Sequence, residues 1–172
     1  NLTVSDNCMA NVPQFIVSSV PNLYVLNVGS MCFCYCSKEQ KSFVVVDCPH
    51  LRVINIGDSF QYFSVFTLHS LPLLESLSVG CGAFTKTASL LLEDLPSLCS
   101  VSIGDESFWS CEMVAMINLS ALESVLLGQS ALYGRHRASG KNSDSENVLV
   151  MRDLPKLTSL TGGCNFVTVT RD

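Results

Sequence analysis

Apolar and polar residues return in the same order six times along this chain. Taking the second residue of each Leu-Pro-like segment as origin (Pro21, Pro49, Pro72, Pro96, Ser120 and Pro155), the successive spacings are 28, 23, 24, 24 and 35 residues. A unit of about 24 residues with insertions of about 4 and about 11 accounts for all of them. Two places after the origin leucine stands every time, as Leu23, Leu51, Leu74, Leu98, Leu122 and Leu157. Five places after it are Leu26, Ile54, Leu77, Val101, Val125 and Leu160, and seven places after it Val28, Ile56, Val79, Ile103, Leu127 and Gly162. Glycine follows in every unit (Gly29, Gly57, Gly80, Gly104, Gly128, Gly163). Phe33, Phe84, Phe108 and Leu132 come four places later, with Phe60 and Phe166 one residue early.

Before each origin lies a second alternating pair: Phe15 and Val17, Phe43 and Val45, Phe66 and Leu68, Leu90 and Leu92, Val114 and Met116, Leu149 and Met151. Alternation of this kind among β-branched and aromatic residues predicts a short strand with one buried face. Each unit therefore carries two strands, with proline at the turn between them because it has no N–H to give to a ladder. One unit cannot enclose its own apolar side chains, whereas stacked units put leucine on leucine. The expected fold is mostly β, a solenoid of about six coils with two short strands each. A single array fills residues 1–172, with an inserted loop at about 134–147. Leu2 and Val4 fall in register with Leu26 and Val28, and Arg171-Asp172 repeats Arg152-Asp153, so the array reads as cut within a repeat at both ends. Coils left open at such ends would favour end-to-end association.

Composition narrows the function. The 172 residues are 48% hydrophobic and 15% charged, with a formal charge of -5, which offers no basic footprint for a nucleic acid. No run of about 18 apolar residues predicts a membrane span in this segment. Nine cysteines cannot all pair within one chain. Cys48, Cys81, Cys99 and Cys111 sit in apolar or turn contexts, where a thiol behaves as a small buried hydrophobe.

In this register Leu98-x-x-Val101-x-Ile103-Gly104-x-x-x-Phe108 resembles the strand-and-turn segment of leucine-rich repeat proteins, over nearly the whole chain. The run Ser102-Ile103-Gly104-Asp105-Glu106-Ser107-Phe108, echoed at Asn55 to Phe60, is most similar to BspA-like surface proteins of bacteria and protists. That resemblance implies binding and adhesion, and a place at the cell surface. Where common leucine-rich repeats carry asparagine, this chain has Met31, Ser59, Gly82, Glu106, Ser130 and only in the last unit Asn165, so the turn must satisfy its backbone groups in another way.

Chemistry is sparse. Cys32-Phe33-Cys34-Tyr35-Cys36 would place three thiols on one side of a strand, but lacks the second ligand pair of a structural zinc site. His50, His69 and His136 belong to no catalytic motif and read as surface residues, and the recurrent glycine belongs to the repeat and not to a phosphate loop. No enzyme, metal or cofactor is expected. Asn1-Leu2-Thr3 and Asn118-Leu119-Ser120 fit the glycosylation sequon, and Arg135, His136, Arg137 and Lys141 form a basic patch on the insertion.

A protein partner is the expected ligand. The outward positions of the leucine strand form two rows, Val25, Val53, Ser76, Ser100, Ser124, Ser159 and Asn27, Asn55, Ser78, Ser102, Leu126, Thr161. Their centre (Val53, Ser76, Ser100, Ser124 with Asn55, Ser78, Ser102, Leu126) is the candidate contact face, beside a glycine row that would let a partner come close. On the other strand the outward row Ile16, Val44, Thr67, Leu91, Ala115, Val150 reads as an exposed apolar patch. The alternative is a structural spacer or targeting arm of a larger protein.

Overall fold

The computed structural model describes residues 1–34, 41–134 and 147–162, which leaves nearly all of the expected insertion, the basic patch, Cys36, Gly163 and Arg171-Asp172 outside the described residues. Among the described residues every regular element is a strand. In chain order these are β1 (Leu2–Val4), β2 (Gln14–Ser18), β3 (Val25–Val28), β4 (Ser42–Val46), β5 (Val53–Ile56), β6 (Val65–His69), β7 (Ser76–Val79), β8 (Ser89–Glu93), β9 (Ser100–Ile103), β10 (Met113–Ile117), β11 (Ser124–Leu127), β12 (Val148–Arg152) and β13 (Ser159–Thr161). Among the described residues no helix is long and apolar enough to cross a membrane.

Odd-numbered strands form a seven-stranded sheet in the order β1-β3-β5-β7-β9-β11-β13, and even-numbered strands a six-stranded one in the order β2-β4-β6-β8-β10-β12. All pairs are parallel and in the register of the repeat: Leu26 pairs with Ile54, Ile54 with Leu77, Leu77 with Val101, and Val101 with Val125. The chain is thus a two-sheet β-solenoid of about five turns of roughly 24 residues, counted from the first strand pair to the last. Leu2 pairs with Leu26 and Val4 with Val28, as their spacing predicts.

The Leu-Pro segment proves to be a β-turn. In each coil the N–H of the repeat leucine donates to the carbonyl three residues earlier, as from Leu51 to Cys48, Leu74 to Leu71 and Leu98 to Leu95. Proline occupies the second place of that turn, where its fixed φ suits the geometry. The residue two before it (Ser19, Asp47, Ser70, Asp94, Asn118, Asp153) has φ between 53° and 59°, the left-handed region that short polar side chains tolerate. The repeat leucines Leu51, Leu74, Leu98 and Leu122 are fully buried and occupy equivalent positions in successive coils.

Eight phenylalanines form the centre of the core. Phe33, Phe60, Phe84 and Phe108 stack in one column at 4.5, 5.0 and 4.9 Å between ring centroids. Phe15, Phe43 and Phe66 stack in a second column at 5.0 and 4.9 Å. The two columns interlock edge to face, as in Phe43 against Phe84 and Phe66 against Phe108, an arrangement aromatic quadrupoles favour. Phe63 joins edge-on against Phe60. Each of Phe33, Phe60, Phe84 and Phe108 holds φ between 54° and 60°, strain of about 1–2 kcal/mol per residue that the packing overcomes.

The missing asparagines are replaced in two ways. Where the sequence has Met31, Gly82 and Glu106, the backbone N–H donates directly to a carbonyl of the next coil, that of Asp58, Asp105 and Gln129 respectively. At Ser59 itself, and at Ser107 one position beyond Glu106, buried hydroxyls clamp adjacent coils. Ser59 Oγ donates to the Gly29 carbonyl at 2.6 Å and accepts from Cys32 N–H at 3.0 Å. Ser107 Oγ does the same with Gly80 O at 2.5 Å and Ala83 N–H at 3.0 Å. Backbone groups enclosed in the stack are thereby paired.

The glycine row serves stacking between coils, and not the close approach of a partner for which the sequence offered it. A Cβ on Gly104 would lie 2.6 Å from the Gly80 carbonyl carbon and 2.7 Å from Cys81 N, both backbone atoms of the preceding coil. The absent side chain points along the solenoid axis, into the neighbour.

Candidate interaction surfaces

The outer face of the seven-stranded sheet carries the two expected rows in strict alignment. Val25, Val53, Ser76, Ser100, Ser124 and Ser159 pair rung by rung, and beside them Asn27, Asn55, Ser78, Ser102, Leu126 and Thr161. Val53, Ser76, Ser100, Ser124 and Ser102 are half-buried by their neighbours in the ladder, whereas Asn55, Ser78 and Leu126 are exposed. Leu126, at 54% exposure, is an apolar knob among hydroxyls. At the other end Asn55 Nδ2 donates to Asn27 Oδ1 at 2.9 Å, and both line an open depression of about 410 Å³ with Thr3 and Asp6.

The corresponding row of the six-stranded sheet is less exposed than its composition predicts. Ile16 is 56% exposed, Val44, Thr67, Leu91 and Val150 are half-buried, and Ala115, between Leu91 and Val150 in the ladder, is buried. Strands roughly 4.8 Å apart let larger neighbours shade a methyl group, and the exposed apolar area of this face lies instead on Met113 and Val148, which pair in the adjacent outward row.

A third surface, invisible in the strand pattern, follows the turns between the sheets. An open groove of about 980 Å³ is lined by Ser70, Pro72, Asp94, Pro96, Asn118, Ser120, Asp153, Leu154 and Pro155. Apart from Leu154, its residues occupy the same two turn positions of four successive coils, so it runs along the solenoid axis. One wall is proline, with serine (Ser120) in the third of these coils; the other is the left-handed polar row. Asn118 Nδ2 donates to Asp94 Oδ1 at 2.9 Å, Ser97 and Ser120 donate to the carbonyls of Pro72 and Pro96, and among the described residues no basic side chain lines the groove.

The cysteines divide. Residues 31–34 form a turn and not the expected strand, because Phe33 sits at φ 57° and drives its ring inward between Cys32 and Cys34. Cys32 and Cys34 are buried, their thiols donating to the carbonyls of Ser5 and Cys32. Burial, reinforced by the Asp58 charge, raises the pKa of Cys34, and burial pushes Cys111 up to about 12. Both therefore persist as neutral thiols. Cys48 is buried as its context suggests, but Cys81 and Cys99 are exposed, since each occupies an outward position of its coil. Among the described residues no three His, Cys, Asp or Glu side chains come together as a metal site.

The remaining motifs are dispersed. His50 is exposed and stacks on Tyr24, and His69 contacts the hydroxyl of Ser70. Trp109 and Tyr133, in the connections that follow β9 and β11, stack at 4.7 Å. Comparison with protein-family models, with curated proteins and with solved structures yields no match, so the surfaces themselves carry the functional argument.

Proposed function

We propose that this chain is a protein-interaction module whose contact face is the outer surface of the seven-stranded sheet. The observation that supports the reading is the pair of unbroken rows of short side chains, with Ser76, Ser100 and Ser124 in one and Asn55, Ser78, Ser102 and Leu126 in the other. A rigid parallel sheet holds these groups at fixed spacing, so a partner loses little by ordering them. Leu126 supplies apolar area, and the hydroxyl and amide groups around it supply adaptable hydrogen bonds. The resemblance to leucine-rich repeat surface proteins points the same way.

In a pull-down, the variant with Ser76, Ser100 and Ser124 all changed to arginine is expected to lose at least nine-tenths of the partner retained by the parent protein. Stacked like charges repel, so the single Ser100→Arg variant is the folding control. Equal recovery by parent and variants rejects this face. The spacer reading draws on the continuous buried core. Under it, deleting one whole coil, residues 73–96, would abolish function while surface changes would not.

A further inference from the structure

We infer that the groove along the inter-sheet turns binds an extended, proline-rich segment of another protein in the polyproline II conformation, with a lysine or arginine at every third position. The inference concerns a different surface from the sheet face and stands independently of it.

Three features of the groove carry this. Its form is a channel crossing four coils, with strand-to-strand steps of roughly 4.8 Å, so it is about 14 Å long and open at the top. An open channel of that shape fits a linear chain better than a compact small molecule, which needs enclosure. One wall is a rail of Pro72, Pro96 and Pro155 with Leu154, rigid and apolar, able to pack against the pyrrolidine rings of a similarly stiff ligand at little entropic cost.

The third feature is the charge pattern of the opposite wall. Along the left-handed row, neutral and acidic residues alternate: Ser19, Asp47, Ser70, Asp94, Asn118, Asp153. Because the strands before them pair rung by rung, the carboxylates recur every second coil, a repeat of roughly 9.6 Å. A polyproline II helix makes one turn in 3 residues of about 3.1 Å rise, a repeat of about 9.3 Å. A base at every third residue therefore faces one carboxylate per turn. Asp94 is held by the Asn118 amide at 2.9 Å and has no cationic partner among the residues lining the groove. Asp153 lies 3.7 Å from the exposed Arg152, a surface pair that a better-placed cation replaces at little cost. Asp47 continues the same row one period beyond the groove. A β-strand ligand, at roughly 3.4 Å per residue, alternates its side chains every two residues and brings only every sixth back to a carboxylate on the same side.

The test uses the full chain and three fluorescent peptides at physiological salt: four repeats of Pro-Pro-Arg, four of Pro-Pro-Gln, and four of Pro-Pro-Pro-Arg. All three favour the same backbone helix, and the two arginine peptides carry equal charge at different spacing. The Pro-Pro-Arg peptide is expected to bind at least tenfold more tightly than either other peptide. The double variant Asp94→Asn, Asp153→Asn, which keeps the size of both side chains, should lose at least tenfold of that affinity while its circular dichroism stays unchanged. The Glu106→Gln variant, which removes a carboxylate outside the groove, should bind like the parent. Equal binding of the two arginine peptides would show that bulk charge alone acts and overturn the proposal, as would a double variant that binds like the parent. A response to divalent cations without a response to the peptides would assign the carboxylates to a metal instead, and also overturn it.

Discussion

Changing Gly104 to alanine should destabilise the protein by about 3 kcal/mol, at the upper end of overpacking costs, whereas Gly80→Ala should cost about 1 kcal/mol. The two positions have the same role in successive coils but different clearance. At Gly104 the new methyl would meet the Gly80 carbonyl carbon, Cys81 N and Gly80 O at 2.6, 2.7 and 2.8 Å, all of them backbone. At Gly80 its nearest contacts, on Gly57 and Asp58, are at 3.1 and 3.3 Å, which a small shift relieves. Neither glycine has positive φ, so the penalty reports coil-to-coil contact and not backbone strain. Thermal melts of both variants are the check, with an expected gap of roughly 4–8 °C at about 2–4 °C per kcal/mol for a domain of this size. Equal melting temperatures would mean that the coils are not in backbone contact at the glycine row.

A larger loss is expected at Phe84. Its ring is fully buried, stacked between Phe60 and Phe108 and met edge-on by Phe43 and Phe66. Phe84→Ala should cost about 4–5 kcal/mol in denaturant unfolding, the upper end for such truncations, because four rings lose a neighbour and a two-sheet stack cannot collapse onto the hole. Alanine suffers the same left-handed strain as phenylalanine, so strain cancels in the difference. Phe84→Leu, which refills most of the volume, should recover more than half. With domain stabilities of about 5–15 kcal/mol, the alanine variant stands near the edge of unfolding. A loss below about 2 kcal/mol would show that the spine is dispensable.

What was legible in the sequence was everything that repeats at fixed offset. The strand pairs, the leucine column, the register of Leu2 and Val4, and the membership of both outward rows follow from spacing, because stacked coils place equal offsets in one column. The corners were less legible. Phe60 comes one residue early by count, yet it stacks between Phe33 and Phe84. The coil from Gly57 to Phe60 omits the left-handed residue that Met31, Gly82 and Glu106 supply elsewhere, which restores the ring to its column. Ser59 and Ser107 lie in the same column as Cys32 and Ala83, so no single residue type announced their clamping role.

The surfaces show the same division. Alignment of the sheet rows was readable, but exposure was not, since it depends on the size of neighbours one coil away. Thus Ala115 is buried beside Leu91 and Val150, whereas Cys81 and Cys99 face outward. The turn groove escaped notice because its two walls belong to different repeat positions, one a run of prolines and the other a polar row that looks like ordinary turn chemistry. Only the left-handed φ of that polar row, which sets its side chains along the proline rail, makes a channel of them.

The most direct test of the stacked-coil account is the pattern of short backbone proton contacts in solution by nuclear magnetic resonance. Leu77 should contact Val101, and Val101 should contact Val125, with each neighbouring residue pair showing the same offset of 24 in sequence. Contacts in which one residue number rises as its partner's falls, the mark of antiparallel hairpins, would contradict the solenoid and with it both proposed binding surfaces.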